Sequence, residues 1–334
     1  MGVYIIAEAG VNHNGSLELA KRLVDMAKEC GADAVKFQTF KAEESTSSKT
    51  EKARYQKQND TTKESQLEMI KRLELPFSDF GILKRYCEEK EIDFISTPDG
   101  VESLNYLMKI DIPLIKIGST EVTNIYFLEA LAKTLKPLIL STGMSTLGEV
   151  ERAVEIIKQN GNDNITLMHC TTDYPTEIRD VNLKAMVTLR NAFNLPVGYS
   201  DHTEGFEAAI AATTLGAVFI EKHITLDRNM QGPDHKASMP PSEFKEYVKY
   251  IRNTECLLGD GRKKPTQNEI EIMSQVRRSI LSARKLNKGT IISRDMLCYK
   301  RPGDGIPPEY TDILVGRELK RDLEKEEVIK WEDV

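Results

Sequence analysis

The chain has 334 residues, 40% of them hydrophobic and 29% charged, a composition that suits a globular protein with one large domain and a small one and excludes fibrous and disordered chains. Its 46 Lys and Arg against 52 Asp and Glu give a formal charge of −6, and no basic run is long enough to track a phosphate backbone, which argues against nucleic acid as a partner. The longest mostly apolar stretch, Ala208 to Ile220, is broken by Thr213 and Thr214 and falls short of the roughly 18 residues of a membrane span.

The first residues, Met1-Gly2-Val3-Tyr4-Ile5-Ile6-Ala7-Glu8, have no basic leader and read as a strand rather than a signal peptide. Five cysteines (Cys30, Cys87, Cys170, Cys256, Cys298) are odd in number, widely spaced and without a Cys-x-x-Cys pair, the pattern of a reduced cytoplasmic protein. Eight short β-branched runs alternate with amphipathic stretches: Val3 to Ala7, Ala34 to Phe37, Asp93 to Ser96, Leu114 to Ile117, Leu138 to Leu140, Ile165 to Met168, Val197 to Tyr199 and Val218 to Ile220. The helical stretches carry start signals, with Ser16 as an N-cap before Leu17, Ala20, Leu23, Val24 and Ala27, and a Thr146-x-x-Glu149 capping box before Val150, Ala153, Ile156 and Ile157. This alternation predicts a closed (β/α)8 TIM barrel. An open doubly wound sheet would fit the same alternation, but Ala9-Gly10-Val11-Asn12-His13-Asn14-Gly15 after the first strand is not a dinucleotide fingerprint.

A long insertion, Lys41 to Pro76, carries Tyr55-Gln56 and reads as a lid or a disordered loop. Past the eighth helix, Leu258 to Thr266 breaks the pattern, so the expected organisation is a barrel over residues 1–257, a linker over 258–278 and a small α+β module over 279–334. That module shows a Lys288-Gly289 turn, a helix start at Ser293-Arg294-Asp295, and Arg301-Pro302-Gly303.

A TIM barrel builds its site from the C-terminal strand ends. All eight ends are polar: Glu8; Lys36 and Gln38; Ser96 and Thr97; Lys116, Ser119 and Glu121; Ser141 and Thr142; His169 and Thr171; Ser200, Asp201 and His202; Glu221, Lys222 and His223. Charges in strands buried on both faces are costly unless they are used. Lys36 and Lys116, among the hydroxyls of Thr97, Ser119, Ser141 and Ser200, suit a small phosphorylated, carboxylated anion, and no Walker loop indicates a nucleoside triphosphate. His169, His202 and His223 end consecutive strands. His169 reads as a satisfied core residue, His13 as a loop stabiliser, and His202 with His223 as a weak two-ligand site for dissociable Mn²⁺ or Mg²⁺.

These residues sit in Ile6-Ala7-Glu8-Ala9-Gly10-Val11-Asn12-His13-Asn14-Gly15, Val35-Lys36-Phe37-Gln38-Thr39-Phe40, Lys116-Ile117-Gly118-Ser119, Leu140-Ser141-Thr142-Gly143-Met144, Ser200-Asp201-His202, Glu221-Lys222-His223 and Gly232-Pro233-Asp234-His235. Together they resemble the sialic acid synthase family, phosphoenolpyruvate-dependent synthases of nine-carbon 2-keto sugar acids, and the tail looks like the antifreeze-like (SAF, β-clip) module of those enzymes. The resemblance implies a homodimer with that module swapped onto the partner's barrel. It implies that Lys36, Thr97, Lys116, Ser119, Ser141 and Ser200 bind phosphoenolpyruvate and that His202 and His223 hold Mn²⁺ or Mg²⁺. It further implies that Glu8, Gln38, Tyr174, Asp234 and Arg301 contact an acetamido hexose, with Glu121 near the reacting carbon and Glu8, Glu121 and Lys116 as catalytic groups.

The chain departs from the family pattern at Asp99, at Thr120 between Ser119 and Glu121, and at Thr172 within Cys170-Thr171-Thr172-Asp173-Tyr174-Pro175. The last change leaves two acceptors in view, with N-acetylmannosamine first and a 2,4-diacetamido-trideoxy hexose, as in legionaminic acid synthases, as the alternative. A catalytically idle binding protein is a remote third reading. A seven- or eight-carbon keto-acid synthase is disfavoured by the tail module and the Asp234 segment.

Overall fold

The computed structural model describes residues 2–52 and 64–334. Eight parallel strands close into a barrel in chain order: β1 (Tyr4–Gly10), β2 (Ala34–Phe40), β3 (Asp93–Asp99), β4 (Ile115–Ile117), β5 (Leu138–Ser141), β6 (Ile165–Cys170), β7 (Val197–Asp201) and β8 (Phe219–His223). β8 pairs back onto β1, so the sheet has no edge and the open-sheet alternative is excluded. Each strand begins within one residue of its β-branched run, but seven of the eight continue one to three residues further, into the polar ends. The ladder needs only backbone groups, so it persists after the side chains turn polar.

Side-chain alternation along each strand sorts the barrel into layers. Ile6, Ala34, Ile95, Ile139 and Met168, with Tyr4, Leu114 and Phe219 packed on them, plug the lower lumen. Two residues further along, the same faces present Glu8, Lys36, Thr97, Ser141, Cys170 and Glu221. The opposite faces pack against the helices in one large core that includes Ile5, Val35, Phe37, Leu140, Val197 and Ile220. The expected caps are present: Ser16 Oγ accepts from Leu19 N at 3.3 Å, and Thr146 and Glu149 form a capping box on helix Leu147–Gln159.

Tyr55-Gln56 lie outside the described residues, but the flanks of the insertion carry helices Ala42–Ser45 and Gln66–Leu73, the second with a Ser65/Glu68 capping box. Met69 and Leu73 bury against Val11 and Phe40, so this part of the insertion is packed onto the loop after β1 and the end of β2. Burial of two such side chains is worth about 3–6 kcal/mol, enough to hold a short helix in place.

The chain divides into two compact units, Met1–Gly259 and Asp260–Val334. The first ends with helix Pro241–Leu258, stopped by Gly259 at φ +60°. Within the span read as linker lies helix Gln267–Val276, which has its own Thr266/Glu269 capping box and no buried residue. The second unit pairs β9 (Ser279–Ser282) antiparallel with β10 (Leu297–Lys300) around a core of Ile280, Leu286, Ile292, Leu297, Ile306, Leu314, Leu319, Leu323, Ile329 and Val334. Gly289 takes φ +85° in the expected turn, whereas Ser293-Arg294-Asp295 starts only a single 3-10 turn, Arg294–Met296.

Candidate active site

Four buried charges meet above the apolar plug. Lys36 Nζ lies 2.9 Å from Glu8 Oε2 and 3.7 Å from Glu221 Oε1, and Lys116 Nζ lies 3.7 Å from that same Glu221 oxygen. All four side chains are at most 4% exposed, so the quartet is two cations and two anions in a low dielectric. Burial opposes ionisation of Glu221, but Lys116 and then Lys36 outweigh it and hold this carboxyl well below the usual range. Glu8 is raised, chiefly by burial and then by repulsion from Glu221, against the pull of Lys36. Burial outweighs Glu221 in lowering Lys116, whereas in Lys36 the two carboxylates win and raise it. Glu221 is thus the fixed charge of the group, and Glu8 is the carboxyl readiest to take a proton.

Hydroxyls and one glycine frame the quartet. Lys116 Nζ donates to Ser141 Oγ at 2.7 Å, Lys36 Nζ to Thr97 Oγ1 at 3.3 Å, Ser200 Oγ to Glu221 Oε1 at 3.2 Å, and Gln38 Nε2 to Glu8 Oε1 at 3.2 Å. Ser119 Oγ accepts from Gly143 N at 3.0 Å and lies 3.2 Å from Cys170 Sγ. A Cβ on Gly143 would come within 2.3 Å of Thr172 Oγ1 and 2.8 Å of Ser119 Oγ, so this position requires glycine for close approach.

The two histidines stand together beside the quartet, with ring centroids 5.6 Å apart, and the Tyr174 ring lies 4.2 Å from His202 and 5.5 Å from His223. His202 Nδ1 faces the Thr171 carbonyl at 2.7 Å, which assigns the proton to Nδ1 and the lone pair to Nε2. Ser200 has one hydrogen and two acceptors facing it, Glu221 Oε1 and, at 3.2 Å, His202 Nε2, while His223 Nδ1 is buried without a hydrogen-bond partner among the described residues. Burial lowers both imidazoles, His202 to about 4 and His223 well below its ordinary value, so both are neutral. Neutral imidazoles with unserved lone pairs fit a divalent cation. No group of three or more His, Cys, Asp and Glu placed to share a metal ion occurs among the described residues.

A cavity of about 220 Å³ opens beside this floor, and its lining includes Gln38, Thr97, Ser119, Glu121 and Tyr174. Asp99, Thr120 and Thr172, the three departures from the family pattern, lie on the same wall. Glu121 Oε2 accepts from Asn124 Nδ2 at 2.6 Å. Asp234, in the loop after β8, is pushed up to about 7, first by burial and then by Glu8. Arg301 follows β10 in the second unit and is exposed.

The remaining histidines hold loops. His13 Nδ1 accepts from Gly15 N at 3.1 Å, His169 Nε2 faces Val181 O at 2.7 Å, and His235 bridges Thr225 Oγ1 at 2.7 Å and Asn14 Oδ1 at 3.2 Å. Asp201 and Glu221 both stand among the polar strand ends, and the structure separates them. Glu221 faces the lumen with His223, two residues on, whereas Asp201 and Lys222 face the helices and pair with each other at 3.4 Å. Period-two alternation was the signal that distinguishes them.

Residues 23–263 match the NeuB family and residues 277–334 the SAF domain. The chain is 47% identical over 338 residues to N,N'-diacetyllegionaminic acid synthase of Legionella pneumophila, spanning 100% of this chain and 95% of that one. It is 35% identical to N-acetylneuraminate-9-phosphate synthase of Homo sapiens, with 98% and 92% covered. The crystal structure of N-acetylneuraminic acid synthetase from Leptospira borgpetersenii is 37% identical, with a TM-score of 0.73 over 81% of this chain and 90% of that one. A closed barrel with a SAF domain, aligned end to end with such synthases, makes this chain a member of the NeuB family.

Proposed function

We propose that the protein condenses phosphoenolpyruvate with an open-chain acetamido hexose and water, giving a nine-carbon 2-keto sugar acid and phosphate. The observation that carries this reading is the buried floor: two lysines sharing Glu221, each on a hydroxyl, beside two neutral imidazoles. Lys36, Lys116, Thr97, Ser119, Ser141 and Ser200 hold the carboxylate and phosphate of the donor. As that anion arrives on Lys36, Glu8 takes up a proton and releases the ammonium from its pairing. His202 and His223 would hold a divalent cation, Mn²⁺ or Mg²⁺, which would polarise the aldehyde. The donor's enol carbon attacks the aldehyde carbon, and positive charge develops next to the phosphate oxygen. Ionised Glu221, fixed within the lumen, stabilises that charge. Water adds to the donor carbon that bears the phosphate oxygen, one of its protons passing to the alkoxide left by the aldehyde, and the tetrahedral intermediate collapses to the ketone as phosphate leaves with the bridging oxygen and the second proton. Gln38, Tyr174 and Asp234 orient the sugar, and Glu121 faces the reacting carbon from the cavity wall.

For the acceptor we favour a 2,4-diacetamido-trideoxy hexose over N-acetylmannosamine, reversing the order read from the residues. The support is the 47% identity to the Legionella enzyme against 35% to the human one, together with three departures that line one cavity. The five thiols are free, in keeping with a reducing cytoplasm, and no described helix is long and apolar enough to cross a membrane. Arg301 serves the barrel of a partner copy in a homodimer, a reading supported by its exposed place in a separate unit and by a preceding helix with no buried residue.

The test is phosphate release from phosphoenolpyruvate with each acetamido hexose, with and without chelator, run in ¹⁸O-labelled water. The expected result is metal-dependent release of unlabelled phosphate. Labelled phosphate, or turnover undiminished by chelator, overturns the mechanism. Mixing Arg301→Ala with Lys116→Ala chains tests the dimer: about a quarter of wild-type activity returns if Arg301 works in trans, and none if it works in cis.

A further inference from the structure

The quartet accounts for anion binding, but it leaves a carboxylate unexplained on the cavity above it. Asp99 ends β3, two residues beyond Thr97 on the same face. That spacing sets it about 6.6 Å further along the strand than the hydroxyl on Lys36, toward the barrel mouth, the direction in which an extended six-carbon chain runs when its first carbon sits over the floor. The cavity carries two carboxylates, Asp99 and Glu121, and no Lys, Arg or His among its described lining residues. From the helix Ala42–Ser45, Glu44 and the Ser45 hydroxyl also face Asp99, and Lys41, the cation that acts on Glu44, is held by Glu74 at 3.0 Å. Burial first and Glu121 second push Asp99 up to about 6, against the Ser45 hydroxyl, and no ion pair to Asp99 occurs among the described residues. Phe40, Pro98 and Met144 supply apolar surface between the polar groups.

A wall of this kind accepts N–H and O–H donors, takes methyl groups, and repels anions. Resting on the condensation proposed above, we infer that Asp99 reads the end of the acceptor sugar remote from its aldehyde, accepting a hydrogen bond from an amide N–H or hydroxyl there and rejecting a terminal phosphate. The human relative, whose name places phosphate on carbon nine of its product, must receive that phosphate on the last carbon of its acceptor, because phosphoenolpyruvate supplies only the first three. In this chain the same group would meet Asp99 and Glu121.

The experiment compares wild type, Asp99→Asn and Asp99→Ser on three acceptors: N-acetylmannosamine, its 6-phosphate, and the 2,4-diacetamido-trideoxy hexose. Melting temperatures check that each variant folds. Asp99→Asn lowers kcat/KM for the preferred neutral acceptor about 10- to 100-fold while KM for phosphoenolpyruvate stays unchanged, and it narrows discrimination against the 6-phosphate by about 10-fold or more. Unchanged acceptor ranking and efficiency in both variants overturn the inference. Calorimetric titration of each sugar separates this from failure of the wider reading. Sugar binding that weakens in Asp99→Asn, without any phosphate release by wild type, upholds Asp99 and overturns the condensation; equal binding by wild type and variant overturns the role of Asp99.

Discussion

β7 and β8 carry two buried charge networks back to back, and they differ in how completely they are satisfied. On the helix side, Asp201 accepts from Thr203 N at 2.9 Å, Thr203 Oγ1 at 2.7 Å and Tyr247 OH at 2.9 Å, and pairs with Lys222, which also donates to the Thr203 carbonyl. On the lumen side, Glu221 Oε2 and His223 Nδ1 are buried without hydrogen-bond partners among the described residues, although Glu221 Oε1 and Glu8 Oε2 stay within ion-pair reach of Lys36. A closed network has no capacity left for a ligand and serves the fold. An open one costs stability unless something arrives to use it.

The largest test of that contrast is Lys116→Ala. Phosphoenolpyruvate-dependent turnover falls by about 10³-fold or more, roughly 4 kcal/mol, with the donor's KM rising far more than the sugar's. The melting temperature holds, because Lys36 still pairs with Glu221 and Glu8 can protonate. On the outer face the expectation is inverted. Asp201→Leu leaves Lys222 buried and unpaired and costs about 3–5 kcal/mol in denaturant unfolding, and Asp201→Leu with Lys222→Met recovers most of it. If Lys116→Ala destabilises as much as Asp201→Leu, the division between the networks is wrong.

Gly143→Ala sharpens the comparison within the site. The added methyl presses on Ser119, Thr172 and Cys170 without altering charge, so kcat/KM drops about 10- to 100-fold in steady-state assays while thermal unfolding barely moves. The smallest effect is pH-linked. Asp234 has a folded pKa of about 7, above an unfolded value of about 4, so it binds its proton more tightly when folded. Its contribution to stability therefore falls as pH rises between those values and is flat above them. Asp234→Asn should raise the melting temperature at pH 8 by about 5 °C and leave it unchanged at pH 4. A shift of equal size at both would mean that Asp234 does not titrate in this range.

The barrel was legible because β-branched runs mark strand starts, and the site because its charges end those runs. The strands' length was not legible, since Glu221, Lys222 and His223 interrupt the apolar signal while the backbone ladder continues. The central role of Glu221 was missed for the same reason: once the run was taken to end at Ile220, nothing assigned the next three residues to opposite faces. Asp99 read as a departure with no stated consequence, because its neighbours Ser45 and Glu121 come from distant parts of the chain. The helix Gln66–Leu73 was hidden by its polar setting, since only Met69 and Leu73 are buried.

The register rows Ser200↔Glu221 and Asp201↔Lys222 sit one residue apart. A single-codon deletion within β8 would turn the structural lysine into the lumen and the histidine toward the helices, losing reaction and fold at one stroke. Changes at Asp99, Thr120 and Thr172, beyond the rows that carry charge, disturb neither network. Point substitution at the rim is therefore open to inheritance, while the strand interiors admit no change of length.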